Sequence, residues 1–222
     1  MAPIRLDLDR STRSGVITVS NEGDEPLSFQ IRTLEWTQDG QGQDRYEPTN
    51  DLVYFPQQLE IPPHENRIVR AGYRNPATTR EKAYRIFVEE QPAPRKGGEG
   101  ANVNIAVAVR FGVPVFVRPP SLEQRAEMDV AVKDGTASAV VQNSGPVHFR
   151  INSVRFEGVG PGGEKTFEST VEGWYLLSGA SRRYAIKLPA EACRKTALVH
   201  VEVVAEKLKA ESQTSITAAA CP

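Results

Sequence analysis

Apolar and polar residues alternate along this chain in short runs with a period of two. Leu27, Phe29 and Ile31 alternate with Ser28, Gln30 and Arg32. Val16-Ile17-Thr18-Val19 is β-branched and stops at the turn cluster Asn21-Glu22-Gly23-Asp24. Successive side chains of a strand point to opposite faces, so this spacing predicts half-buried β-strands. Residues 52–55 and 59–61 read as strands closed by prolines, and 67–70 and 83–88 follow. Residues 38–42 read as a turn. Residues 91–100 are rich in Pro and Gly and read as a loop, and the longest strand signal runs over 102–117.

Arg118-Pro119-Pro120 interrupts the pattern, which restarts at 128–132. Further strands are predicted over 137–142, 149–156, 173–177 and 184–188, with a final pair at 196–205 and 213–220. Only 123–128 reads as a short helix. The expected architecture is all-β, with two β-domains in series over 1–118 and 119–222.

Composition narrows the function classes. The chain has 222 residues, of which 25% are charged, with a net charge of −1. That balance gives no global attraction to nucleic acid or to an anionic membrane, so neither is an expected partner. No apolar run approaches the length that spans a bilayer, so no membrane insertion is expected. Met1-Ala2-Pro3-Ile4-Arg5 leads directly into strand-like sequence. That start suits either a cytoplasmic protein or a mature form with its signal peptide removed.

Catalytic and metal-binding signatures are missing from the sequence. His64, His148 and His200 are far apart and have no ligand-type neighbours at metal spacing. Gly158, Gly160 and Gly163 spell the letters of a dinucleotide fingerprint, but Pro161 interrupts them and no helix pattern follows. A loop between strands is expected there. No enzyme activity, cofactor or metal is expected.

The two cysteines leave two readings open. Cys193 and Cys221 are either buried thiols or a bridge. They are nearly symmetric about Lys207, so a hairpin of the last two strands would bring them together at its open end and favour a disulfide. A disulfide implies an oxidising compartment.

Within 102–117, the row Val103, Ile105, Val107, Val109 and Phe111 faces one way. Such a row either fills the core of its own sandwich or is an exposed edge kept for strand addition. A resemblance bears on this choice. Ile17-Thr18-Val19-Ser20-Asn21, Ile61-Pro62-Pro63 with Arg67-Ile68-Val69-Arg70, and Arg80 through Pro92 stand in order along the chain. Asn102 through Arg110 and Phe116-Val117-Arg118-Pro119 continue the set. Together they resemble the PapD-like periplasmic chaperones of the chaperone–usher pathway, especially the archaic group.

The resemblance implies two immunoglobulin-like sandwiches and a chaperone of pilus and fimbrial subunits in the periplasm. Such a protein completes a pilin that lacks its last strand by donor-strand complementation, and passes it to an outer-membrane usher. Val103, Ile105, Val107 and Val109 fall on the donor positions. Arg5 falls on the first cation of the site that anchors the subunit's carboxylate. The second, a lysine in the family, falls on Pro114, so Arg85 or Arg110 is the expected substitute. Glu81, Arg118 and Glu191 match an interdomain salt-bridge network. An exposed donor strand also implies a dimer in which two copies cap one another. Other classes remain: an immunoglobulin-like recognition or adhesion module, and a structural pilus subunit. The latter needs an N-terminal donor extension, for which residues 1–10 are too short and too charged.

Overall fold

The structure is a computed structural model that describes residues 1–77, 79–91 and 107–221. The chain forms two compact units. The first comprises Met1–Thr37 and Arg45–Pro120, and the second Gln38–Asp44 and Ser121–Pro222.

The described residues of the first part of the chain form β1 (Leu6–Leu8), β2 (Ser14–Ser20), β3 (Leu27–Gln38), β4 (Asp44–Pro48), β5 (Leu52–Phe55), β6 (Gln58–Ile61), β7 (Asn66–Tyr73), β8 (Lys82–Glu90) and β9 (Arg110–Val117). One sheet has the order β1-β9-β8-β3-β4, with β6 also on β3, and the other has the order β2-β7-β5. Their inner faces supply a shared core that includes Ile17, Val19, Ile31, Ile61, Val69, Tyr84, Ile86, Val88, Val113 and Val115. Alternation along each strand places these residues inward, Ile31 among them as its period-two row predicts. β1 runs parallel to β9, with Leu6 beside Val115 and Leu8 beside Val117, whereas β8 and β9 are antiparallel.

The second unit contains β10 (Ala126–Lys133), β11 (Thr136–Asn143), β12 (Phe149–Val159), β13 (Lys165–Glu172), β14 (Tyr175–Leu176), β15 (Ser181–Lys187), α1 (Ala190–Lys195), β16 (Leu198–Ala205) and β17 (Lys209–Ser215). β10-β11-β15 form one sheet, and β13-β12-β16-β17 the other, with β14 on β12. Phe149, Ile151, Phe156, Leu176, Val199, Val201 and Val203 fill the space between them. Gln38 belongs to this unit. Its Nε2 donates to the Tyr175 carbonyl at 2.8 Å, and its Oε1 accepts from the Leu177 amide at 3.0 Å.

Each unit carries a buried asparagine at a matching place. Asn21 follows β2 and donates to the Glu25 and Ile61 carbonyls, while its side-chain oxygen accepts from the Gly23 amide. Asn143 ends β11 and donates to the Val147 and Leu176 carbonyls, while its oxygen accepts from Gly145. A buried amide of this kind satisfies carbonyls that leave the ladder and so fixes the turn. The shared spacing Val-x-Asn-x-Gly marks the two turns as equivalents.

Several expected elements differ. Residues 123–128 are not helical. Met128, Val130 and Val132 instead alternate along β10 on its inward-facing row, and the strand's ladder with β11 takes up the backbone. Among the described residues the α-helix is α1. The strand expected over 173–177 shrinks to Tyr175–Leu176, and β13 was not anticipated. The last strand begins at Lys209 rather than 213 and gives way to a 3₁₀ turn over Ala218–Ala220. Of the strand expected over 102–117, residues 102–106 lie outside the described residues and the regular ladder starts at Arg110.

The glycine run is a hairpin loop. Gly158 lies on β12, where a Cβ would run into the Phe167 ring, and Gly163 has φ +85°. Cys193, on α1, and Cys221 form a disulfide with a Cα–Cα distance of 5.8 Å.

Candidate functional site

The open edge of β9 and the outward face of its sheet define the site. β1 covers β9 only from Val115 to Val117. Upstream, the β9 residues Arg110 to Pro114 pair with β8 on one side. Their other backbone edge has no neighbouring strand among the described residues. Val109 stays tied to β8 through two bonds, from the Glu90 amide to its carbonyl (2.9 Å) and from its amide to the Glu90 carboxylate (3.1 Å). Val107 is 77% exposed, Val109 40% and Phe111 42%. The exposed apolar row therefore continues along the chain leading into β9, outside the sandwich core. Val103 and Ile105 lie outside the described residues.

On the outward face, one row crosses three strands. Arg5 immediately precedes Leu6, which pairs with Val115, so the parallel register brings Arg5 level with Pro114. Arg85 lies directly opposite Pro114 on the other side. In β8 the residues Tyr84, Ile86 and Val88 point into the core, which turns Arg85 outward. The same alternation turns Pro114 outward between Val113 and Val115. The two arginines thus flank Pro114 on one face. Arg110 stands apart, opposite Glu89, with its Nε 2.8 Å from that carboxylate and its guanidinium 3.9 Å over the Phe87 ring. Arg32 also reaches Glu89, at 3.2 Å.

Asp7 and Trp36 organise this row, and neither was singled out from the sequence. The Asp7 carboxylate takes a hydrogen bond from Arg5 Nε at 3.1 Å and holds Arg118 Nη2 at 2.8 Å. The spacing of Arg5 and Asp7, two apart on a short alternating run, was the available signal. Arg85 lies with its guanidinium carbon 4.2 Å over the Trp36 ring and donates from Nη1 to the Gly112 carbonyl at 3.1 Å. Gly112 leaves room for this. A Cβ there would stand 3.1 Å from the Phe87 ring and 3.4 Å from Arg85 Nη1. Trp36 packs in turn against Phe116 and Tyr46, with ring centroids at 5.9 and 6.5 Å.

Of the remaining expected residues, two have partners close in sequence or on the neighbouring strand. Arg118 pairs with Asp7, and Glu191 pairs with Lys195 one turn along α1 at 2.6 Å. Glu81 immediately precedes β8. The histidines are dispersed: His64 contacts Asp24, His148 stacks near Tyr175, and His200 lies 3.7 Å from Glu211. Among the described residues no three His, Cys, Asp or Glu side chains converge as a metal would require.

Away from this face, on the sheet β2-β7-β5, Val53, Phe55, Pro56 and Ile68 line an apolar groove bordered by Arg70. Phe55 is 76% exposed there.

Comparison with known proteins gives a consistent picture. Residues 1–123 match the family model described as pili and flagellar-assembly chaperone, PapD N-terminal domain. No curated protein sequence matches the chain. Among solved structures, the chain resembles one in the CsuC–CsuE chaperone–tip adhesion subunit pre-assembly complex from archaic chaperone–usher Csu pili of Acinetobacter baumannii. The TM-score is 0.68 at 17% identity, covering 96% of this chain and 95% of that one. The YadV chaperone gives a TM-score of 0.65 at 16% identity, covering 96% and 97%. The E. coli chaperone DraB gives 0.59 at 18%, covering 96% and 94%. At these identities the likeness establishes the shared two-domain fold.

Proposed function

The chain belongs to the PapD-like family of pili and flagellar-assembly chaperones, and on that footing we propose that it captures an incomplete pilus subunit by lending it a strand. The observation that carries the reading is the open edge of β9, with Val107, Val109 and Phe111 exposed beside it. An apolar edge left open templates aggregation unless a partner strand occupies it. Val103, Ile105, Val107 and Val109 are the donor side chains, carried by the first domain. Each contributes about 1.5–3 kcal/mol when buried in the subunit's groove, and backbone hydrogen bonds set the register.

The open edge leads to the row of Arg5, Pro114 and Arg85. Arg5 supplies the first cation for the subunit's terminal carboxylate. Arg85, opposite Pro114, supplies the second. Arg110, four residues before Pro114 on β9, is engaged with Glu89 on β8 and serves the strand rather than the anchor. A planar guanidinium suits a carboxylate because its two N–H groups match the two oxygens.

The compartment is the periplasm. The Cys193–Cys221 disulfide supports this, since such bonds persist in oxidising compartments, and one structural relative is described as a periplasmic chaperone. The loaded chaperone passes its subunit to an outer-membrane usher, and in the free protein a second copy covers the open edge. The reading is one of binding rather than catalysis.

The test is periplasmic co-expression with a pilin-like partner, followed by size-exclusion chromatography. A stable one-to-one complex that Ile105→Asp abolishes supports strand donation. Degradation of the pilin as if it were alone removes the reading in favour of a recognition module.

A further inference from the structure

We propose that Glu90 keeps the donor row open, its carboxylate preventing the sandwich's own core from closing over Val109. The inference rests on the reading of β9 as the root of a donated strand, and it names the residue that sets where that strand leaves its own sheet. On the inward face of the first sheet, side chains line up in rows across β3, β8 and β9. Ile31, Val88 and Phe111 form one such row. The next, one period further toward the open end, is Phe29, Glu90 and Val109. Along β9 and the chain leading into it, Val107, Val109 and Phe111 continue the row of Val113 and Val115, which is buried. Along β8, Tyr84, Ile86 and Val88 are buried, and the row then ends in a carboxylate.

The rung at Val109 shows what that carboxylate does. In a regular antiparallel ladder, a hydrogen-bonded pair exchanges two main-chain bonds. Here the Glu90 amide donates to the Val109 carbonyl at 2.9 Å, but the Val109 amide donates to Glu90 Oε2 at 3.1 Å. Glu89 faces outward, where Arg32 and Arg110 share it, so the inward carboxylate at this end of β8 is that of Glu90. A carboxylate is costly to cover with apolar groups, and an inward-pointing charge is one way a sheet keeps an edge from indiscriminate pairing. Phe29 is buried on one side of Glu90, whereas Val109 on the other is half exposed. A leucine at this position would join Phe29 and Val109 into one more core row. The sandwich would then bury for itself a side chain that the subunit's groove has to receive.

The first test is a competition. Wild type and Glu90→Leu, carrying different tags, are co-expressed with the pilin-like partner, and the pilin recovered on each is compared. Glu90→Leu should recover about 2- to 5-fold less, the span of one cross-strand apolar pair. Glu90→Gln, which stays polar and keeps an acceptor for the Val109 amide, should compete evenly with wild type. Even competition by Glu90→Leu, or equal impairment of Glu90→Gln, would overturn the role of Glu90 and leave strand donation standing. Failure of every chain to hold the pilin, wild type included, would overturn strand donation and this inference with it.

Two readouts use the free chaperone. An anilinonaphthalene sulfonate dye brightens on exposed apolar surface, and its emission should be lower with Glu90→Leu than with wild type. A merely structural role predicts the opposite sign, because a loosened fold raises the emission. Equal or higher emission would therefore overturn the proposal. Glu90→Ala removes the acceptor and adds little apolar cover. In that chain the Val109 amide should exchange with solvent about 10-fold faster, the value of a hydrogen bond to a charged group, while the Phe111 amide exchanges as in wild type. Unchanged exchange at Val109 would overturn the proposal even if Glu90→Leu fails to fold.

Discussion

Arg118 Nη2 stands 2.8 Å from Asp7 Oδ1, and this pair closes the parallel junction of β1 and β9 just where the Arg118 amide donates to the Leu8 carbonyl. The other Asp7 oxygen holds Arg5. One carboxylate therefore sets the positions of two arginines, and the cation nearest the open edge is oriented before any subunit arrives.

Arg5→Ala should leave the fold intact. Its pair with Asp7 is partly solvated, and such pairs contribute about 0–1 kcal/mol. Subunit capture should weaken about 10- to 100-fold, the value of a charge-assisted hydrogen bond to a terminal carboxylate. Thermal unfolding and pull-down of the pilin measure the two effects separately, and unaltered capture would end the anchoring role of Arg5.

Ile105→Asp should abolish capture. A carboxylate forced into an apolar groove is strongly disfavoured. Co-purification of the pilin at wild-type yield would mean that the donor row has been misassigned.

Removing the disulfide should destabilise the second unit. The bond closes a span of 28 residues, and the loop-closure relation for that length gives about 3–4 kcal/mol. The Cys193→Ser/Cys221→Ser double variant, followed by urea unfolding, should show a lowered midpoint. An unmoved midpoint would indicate that the hairpin of β16 and β17 holds the C-terminus without it.

Stability should fall at both extremes of pH through one cluster. Asp51 is held below the usual carboxylate range, first by its hydrogen bond from Lys82 and then by one from Asn75. A depressed carboxyl stabilises the fold fully above its unfolded value of about 4, and that contribution is lost as the pH falls through the folded value. Tyr84, which donates to the same carboxylate, is raised by burial and then by the Asp51 charge. Its contribution is present below about pH 10 and disappears as the pH rises further. Asp51→Asn should lower stability at neutral pH and flatten the acid limb of a stability-versus-pH curve, and Tyr84→Phe should flatten the alkaline limb. Curves parallel to wild type would exclude the cluster as the source.

Much of this could be read from alternation alone. Phe29 and Ile31 are buried where their period of two put them. β13 escaped notice because Lys165, Glu168, Thr170 and Glu172 give it little apolar signal. The salt bridges from Lys165 to Glu168 and from Arg155 to Glu157 and Glu168 hold a charged face that periodicity does not score.

The candidate site was legible in part. Arg5 and Arg85 could be nominated one at a time, but their alignment across Pro114 depends on which strands are neighbours and in what register. β1 is three residues long and pairs with a strand more than a hundred positions away, which local pattern cannot reveal. Trp36 was hidden for the same reason. Its contact with Arg85 follows from lying diagonal to it, a relation that exists only once β3 and β8 are paired.

The parallel attachment of β1 has a further effect. A strand laid along β9 in the direction of β1 finds backbone from Arg110 to Val113 that no described strand covers, and then meets the chain entering β1 at Arg5 and Leu6. It can go no further, so a segment with chain continuing past that point would have to bend away and forfeit its last pairs. The edge acts as a measuring stop. On the proposed reading, a polypeptide that finishes on that mark keeps all its pairs, and one that passes through it does not.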